Sequence, residues 1–249
     1  MKYKITTPID SPEVLLHSCC APCSGAILEC MLENGLKPVV YFSNANIYPF
    51  EEYALRMQEL KRYCERLGVE CVEDQYEHPQ WLQAVRGLER EPERGLRCEQ
   101  CFKFRLIRAA KYAQSRGIQQ MSTSLASSRW KDLDQVNRAG EWACEQANIG
   151  VEADRKVIWW PQNWRKGGLQ PRRNEIIKEE NFYNQLFCGC EFAKNVDVLA
   201  KRQVLSTALL VCTLALVLFC KISPILLLLL AALTGMLSAL FHSKRGGSL

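Results

Sequence analysis

The chain has 249 residues, 48% hydrophobic and 24% charged, which is enough for a substantial core and excludes global disorder and collagen-like structure. The formal net charge of +5 points only weakly toward an anionic partner. Thirteen cysteines accompany a start, MKYKITTPIDSPE, that lacks the apolar stretch of a secretory signal, so metal or redox chemistry is expected rather than a secreted disulfide scaffold.

In chain order, Val14–Cys19 (VLLHSC) is a short apolar run bounded by Pro12 and Pro22 and predicts a buried strand. CCAPCSGAILECMLENG then places Ala26, Ile27, Cys30, Met31 and Leu32 on a helical stripe closed by Gly35. Pro38–Asn44 (PVVYFSN) predicts a second strand. EEYALRMQELKRYCERLG carries Tyr53, Leu55, Met57, Leu60, Tyr63, Cys64 and Leu67 on another stripe, ending at Gly68. VECVED predicts a third strand, QWLQAVRGLE and CFKFRLIRAAKYAQSRG two helices, and QQMSTS a further strand. This alternation predicts βαβ units and an α/β fold with a mostly parallel sheet and helices on both faces. Past residue 150 the pattern weakens. KVIWWPQNWRKGGLQPRR predicts a strand and a long loop, and NEIIKEENFYNQLF a helix running directly into FCGC.

The C-terminal region differs in kind. Residues 204–220 and 225–241 are two uncharged runs of 17, separated by Lys-Ile-Ser-Pro with Pro224 as a breaker. A bilayer span needs about 20 apolar residues and tolerates about 17, so a hydrophobic helical hairpin is expected across 204–241. It is followed by a short basic tail, 242–249, and preceded by a domain over 1–203. Lys201 and Arg202 before the pair, and Lys244 and Arg245 after it, predict both ends on the cytoplasmic side, making the protein membrane-anchored.

Outside that region eleven cysteines remain. Cys30, Cys64, Cys71 and Cys144 sit alone on apolar stripes or strands and read as small buried hydrophobes. Cys19, Cys20 and Cys23 cluster where the first strand ends, at the edge where open α/β sheets hold ligands, and a helix N-terminus there favours thiolates. Cys98 and Cys101 form a CxxC at the start of a helix. On spacing alone, a zinc site of Cys20, Cys23, Cys98 and Cys101 and an iron–sulfur site are equally served. Cys188 and Cys190 form a CGC, close enough for a redox-active disulfide with Gly189 supplying the bend, or else a further pair of metal ligands. No Gly-rich phosphate loop follows the first strand, which argues against nucleotide use.

Arg165, Lys166, Arg172 and Arg173 lie beside Trp159, Trp160 and Trp164, a pattern that suits RNA backbone neutralisation with base stacking, although for any single residue a solvated basic loop over core tryptophans is the favoured reading. Lys103, Arg105, Arg108 and Lys111 are similarly ambiguous. Asn46 and Tyr48, in NANIYP, line a pocket or form a turn. His17 reads as a packed core residue.

Taken together, LLHSCCAPCS, YFSNANIYPFEEYALR, CEQCFKFRL, the RKGG stretch and KEENFYNQLFCGC, in this order from about Val14 to Asn195, resemble the epoxyqueuosine reductase family known as QueH. The resemblance implies a Rossmann-like fold related to the adenine nucleotide alpha-hydrolases. It implies a [4Fe-4S] cluster held by Cys19, Cys20, Cys98 and Cys101, and a redox-active disulfide between Cys188 and Cys190. The implied activity is a cobalamin-independent, two-electron reduction of epoxyqueuosine at the anticodon wobble position of tRNA to queuosine, the last step of queuosine biosynthesis, fed by an external electron donor. Cys23 stands where members carry aspartate or cysteine, an extra ligand for an additional iron ion. The hydrophobic tail is not part of the family pattern. Competing readings are another thiol-dependent or tRNA-thiolation-like enzyme on the same fold, and a membrane-anchored zinc protein that binds RNA without catalysis.

Overall fold

Five short strands run parallel in one sheet: β1 (Glu13–His17), β2 (Lys37–Phe42), β3 (Glu70–Glu73), β4 (Gln120–Thr123) and β5 (Ile158–Trp159). Their spatial order is β3-β2-β1-β4-β5, so the sequence order reverses between β1 and β4. The structure, a computed structural model, describes residues 3–185 and 187–193. The expected hairpin, the basic tail and the domain boundary at 203 lie outside the described residues.

The alternation of side chains along β1 and β2 sorts the core into two layers. Val14, Leu16, Val40 and Phe42 face α1 (Ala21–Glu33), α2 (Phe50–Leu67) and α6 (Leu169–Glu179). Leu15 and Tyr41 face the other way, onto α4 (Leu96–Ser115) and α5 (Leu133–Ala147). Helices therefore cover both faces, which is why β1 reads as a continuous apolar run: a parallel strand covered twice has no polar side. A short α3 (His78–Ala84) packs Trp81 against Cys101 and Cys190 near the sheet's C-terminal edge.

Two features depart from the sequence expectation. Helix α5 is absent from it. Its buried face is Gln135, Val136, Ala139, Gly140, Ala143 and Cys144, mostly small residues that give a faint hydrophobic period. What starts it is the Asp132 carboxylate, which accepts from the backbone N–H groups of Asp134 and Gln135. Helix α6 begins at Leu169, inside the expected long loop, directly after Gly168 in a left-handed conformation (φ 78°). Pro171 falls in its first turn, where a missing N–H costs nothing. The helix ends at Glu179 with Asn181 at φ 50°, so the expected helical run into FCGC does not form. An irregular segment carries the CGC instead.

The α5–β5 contact is built on Gly140. A Cβ there would fall within the van der Waals radius of the Trp159 indole, whose Nε1 donates to Asn137 Oδ1 (3.3 Å). Gly140→Ala is expected to destabilise the domain by about 1–3 kcal/mol through overpacking, read as a lower urea midpoint with unchanged slope. An unchanged midpoint would show that the indole moves aside freely.

Candidate thiol and metal centre

After His17 the chain leaves β1 through Ser18 and Cys19 and enters α1 with Cys20 at the N-cap and Pro22 in the first turn. Both cysteines are thus brought to the positive end of a helix, with Cys23 one turn in. The sulfurs of Cys19, Cys20 and Cys23 lie within 4.8 Å of one another, the only group of three or more His, Cys, Asp or Glu ligands so placed among the described residues. Cys19 Sγ and Cys20 Sγ are 3.7 Å apart. Thiolates bound at about 2.3 Å around one tetrahedral ion are about 3.8 Å apart, so the donor set fits a thiophilic metal.

Neighbouring elements hold these sulfurs in place. Ser124, just past β4, accepts from the Cys19 N–H (3.0 Å) and donates to Cys19 Sγ (3.4 Å). Gln185, in the irregular segment after α6, donates to Cys20 Sγ (2.6 Å). Hydrogen bonds from Cys20 and Cys23, aided by Arg105 and Ser124, hold the Cys19 thiol well below its ordinary range against the opposing effect of burial. Burial and the Cys19 charge push Cys20 up, and the hydrogen bond to Cys19 takes Cys23 up to about 12. One thiolate shared by two thiol donors describes the triad.

Arg105, from α4, is 1% exposed. Its Nε donates to the Ser43 carbonyl (3.1 Å) and its Nη2 to Asn44 Oδ1, while Asn44 Nδ2 donates to the Ser18 carbonyl (2.8 Å). His17 is sealed beside it. Its Nε2 faces the Ser43 carbonyl (3.1 Å) and its Nδ1 faces Thr123 Oγ1 (2.8 Å), and burial lowers its pKa to about 3. Since a carbonyl only accepts, Nε2 carries the proton. The ring is a neutral core residue, as the sequence suggests.

The second thiol group gathers around α4's first turn. Cys98 accepts from the backbone N–H of Arg94 (3.3 Å) and is pushed by burial up to about 11; burial likewise raises Cys101. Cys190 is buried with Cys101 and Trp81 in one small cluster, and burial takes it up to about 12. Cys188 is the exception. Burial raises it, but Lys131 and Arg105 outweigh that and leave it below the ordinary thiol value. Lys131 Nζ donates to Cys188 Sγ (3.1 Å) and to Glu93 Oε1 (3.0 Å). Cys188 and Cys190 are both free thiols. Gly189, at φ 95°, lets the CGC fold against the β2–α2 loop, where a Cβ would come within 2.9 Å of Ile47. Tyr48 N–H donates to the Gly189 carbonyl (3.0 Å), and Arg56 donates to the carbonyls of Phe187 (3.3 Å) and Cys188 (3.2 Å).

Cys98 and Cys101 thus stand apart from the tight triad and share a neighbourhood with the CGC, and Arg105 acts on Cys19, Cys101 and Cys188 alike. Several expected contacts are corrected. Trp159, Trp160 and Trp164 are core residues: Trp164 is fully buried, donates to Ser122 Oγ (3.1 Å) and packs edge-on against Trp160, so none of the three offers a face to a base. Arg172 is occupied by Glu29, Glu175 and Glu179, Lys103 by Glu99, and Arg108 by Asp74 and Glu77. Asn46 is fully buried, and neither polar atom of its amide finds a partner among the described residues. Tyr48 is exposed and stacks on His78. Lys131, Ser124 and Gln185 went unmarked in the sequence because each reaches a cysteine far away in the chain, a pairing that local spacing does not reveal.

The sheet is a parallel α/β sheet of Rossmann-like strand order with a cysteine triad beyond the strands' carboxyl ends, at the reversal between β1 and β4, where open sheets of this kind hold their ligands. A family model described as epoxyqueuosine reductase QueH matches residues 14–196. The chain is 40% identical over 193 residues to the epoxyqueuosine reductase QueH of Histophilus somni, covering 78% of this chain and 76% of that protein. With its counterpart in Acinetobacter baylyi it shares 38% over 192 residues, 77% and 85% of the two chains, and with that in Thermotoga maritima 29% over 198 residues, 76% and 97%. The chain belongs to the epoxyqueuosine reductase QueH family, and is an oxidoreductase.

Removing the cation beside Cys188 tests the electrostatics. Lys131→Met is expected to shift the pH midpoint for alkylation of Cys188 upward, because the lost charge favoured the thiolate. Iodoacetamide rates against pH, read on the CGC peptide by mass, give the midpoint; an unmoved midpoint would exclude Lys131 as the source of the shift.

Proposed function

We propose that the protein reduces epoxyqueuosine to queuosine at the wobble position of tRNA, with Cys188 and Cys190 as the electron-carrying pair and Cys19, Cys20, Cys98 and Cys101 as ligands of a [4Fe-4S] cluster. Cys23 is then an additional ligand, for a further iron ion. The observation that carries this reading is the CGC dithiol, its Cys188 sulfur 3.1 Å from a buried lysine and its Cys190 packed against Cys101. When bound, an iron–sulfur cluster supplies one-electron transfer and, at an open iron, Lewis acidity toward oxygen.

The balance is simple. The epoxide oxygen leaves as water, the two C–O bonds break and a carbon–carbon double bond forms, which takes two electrons and two protons. Closure of Cys188 and Cys190 to a disulfide releases two electrons. Cys190, its thiol raised by burial, supplies one proton, and the other comes from Cys188 or, to the extent that Lys131 favours the Cys188 thiolate, from solvent. An external donor reopens the disulfide. Arg56, gripping the carbonyls of Phe187 and Cys188, keeps the CGC at the site through both states.

Cys98→Ala is expected to lose the bound iron and sulfide, whereas Cys188→Ser and Cys190→Ser keep them and the brown colour but fail in multiple turnover. Full iron content in Cys98→Ala would remove it from the ligand set. Serine variants reducing substrate at the wild-type rate would remove the dithiol from the electron path.

Among the described residues no helix is long and apolar enough to cross a membrane. The two uncharged runs at 204–220 and 225–241 support a membrane hairpin that tethers the enzyme on the cytoplasmic side. Full-length protein is expected to sediment with membranes and resist high-salt extraction, and a chain ending at Arg202 to be soluble and active. Release of the full-length protein by salt would exclude an integral hairpin.

A further inference from the structure

We propose that Trp130 is the stacking platform for an unpaired base beside the reacting nucleoside, in a cleft whose walls also carry Arg129 and Arg173. This rests on the tRNA reading above. Of the six tryptophans, four are buried and Trp142 is half-buried, while Trp130 is 75% exposed. A single exposed aromatic is ordinary in itself. What sets this one apart is how firmly its backbone is held and what lies next to it.

Arg94 donates from Nε to the Trp130 carbonyl (3.0 Å) and from Nη2 to the Arg129 carbonyl (3.2 Å). The same residue takes a left-handed conformation (φ 69°) and places its own N–H on Cys98 Sγ (3.3 Å). Trp130 N–H donates to Ser128 Oγ (3.3 Å), and the next residue, Lys131, turns inward onto Cys188. The indole is therefore displayed outward from a segment pinned on both sides to the thiols.

Trp130, Arg129, Gln170 and Arg173 line a small open cleft of about 100 Å³ that reaches Cys23. Gln170 is fixed by a bond to the Ser127 carbonyl (3.0 Å), and Ser127 Oγ donates in turn to the Cys23 carbonyl (3.2 Å). Arg173 donates only to the neutral amide oxygens of Asn174 (3.2 Å) and Asn184 (3.1 Å). Neither it nor Arg129 has a carboxylate partner among the described residues, in contrast to Arg172 one position away, which has three. An aromatic face between two uncompensated guanidiniums matches a nucleotide whose base stacks while its flanking phosphates are neutralised. With Cys23 on the lining, the neighbouring nucleoside is delivered to the thiol triad.

The test uses full-length, iron-loaded protein and a synthetic anticodon stem–loop RNA, intact or abasic at either loop position next to the wobble nucleotide. Trp130→Ala is expected to weaken binding of the intact RNA on the order of 10-fold with its salt dependence unchanged, and Trp130→Phe to restore most of the affinity. Arg129→Gln with Arg173→Gln is expected to flatten the slope of log affinity against log salt by about 2. One of the abasic RNAs should lose the same factor against wild type and nothing further against Trp130→Ala. Wild-type affinity in Trp130→Ala with its iron content intact, or equal abasic losses in both proteins, would overturn the platform while leaving the tRNA reading in place. Failure of the wild type to bind any of the RNAs would overturn both.

Discussion

The site depends on a positive charge that has been taken out of water. Arg105 is sealed under the sheet's carboxyl edge with its guanidinium committed to the Ser43 carbonyl and the Asn44 side chain, and no carboxylate pairs with it among the described residues. A buried cation without a counter-charge is expensive, by several kcal/mol after relaxation. Here the compensating negative charge is sulfur: the same arginine lowers Cys19 and Cys188 and opposes the burial that raises Cys101. The arrangement therefore favours a state in which some of these cysteines are thiolates. That is the protonation state required of metal ligands and of a thiol about to give up electrons. Lys131 repeats the device on the other side of the CGC, with Glu93 as a second anchor.

This constraint also explains which residues around the site are neutral. His17 sits within the field of Arg105 and is fully enclosed; charging it would place two cations side by side, so it serves as a hydrogen-bonded spacer between β1, β2 and β4. Burial raises Cys20, Cys98, Cys101 and Cys190, and the hydrogen bond to Cys19 raises Cys23, so these thiols favour their protonated form even though Lys131 and Arg105 oppose the effect at Cys98 and Cys101. Asn46 is buried on the loop that packs against the CGC, with neither polar atom of its amide partnered among the described residues.

The sheet was legible in the sequence because parallel strands covered on both faces favour apolar runs, as Val14–Leu16 of β1 and Val39–Phe42 of β2 are, although β4 (QMST) is fully buried and mostly polar. The cysteine groups were legible because their spacing is local. What could not be read is what the chain brings together from far apart. Helix α5 hides because a face of alanine and glycine, required for close approach to Trp159, carries almost no hydrophobic signal. Helix α6 was displaced because GGLQPRR looks like a loop, yet Gly168 and Pro171 are residues suited to starting a helix. The tryptophans were ambiguous in the sequence. Beside a basic stretch they resemble a base-stacking surface, whereas three of them fill the core and the one displayed lies thirty residues earlier in a segment with no periodicity at all.

The early end of α6 is itself a requirement of the site. Had the helix continued to Phe187, its side chains would have followed a 3.6-residue repeat, which would not send Gln185, Cys188 and Cys190 to three separate partners. Ending at Glu179 frees the following segment to do three separate tasks: Gln185 reaches Cys20, the two carbonyls accept from Arg56, and Gly189 turns the chain so that Cys188 meets Lys131 while Cys190 packs on Cys101. The segment is held by side chains rather than by its own backbone ladder. The same segment lies against both thiol groups, so the CGC and the triad are connected through one short stretch of chain.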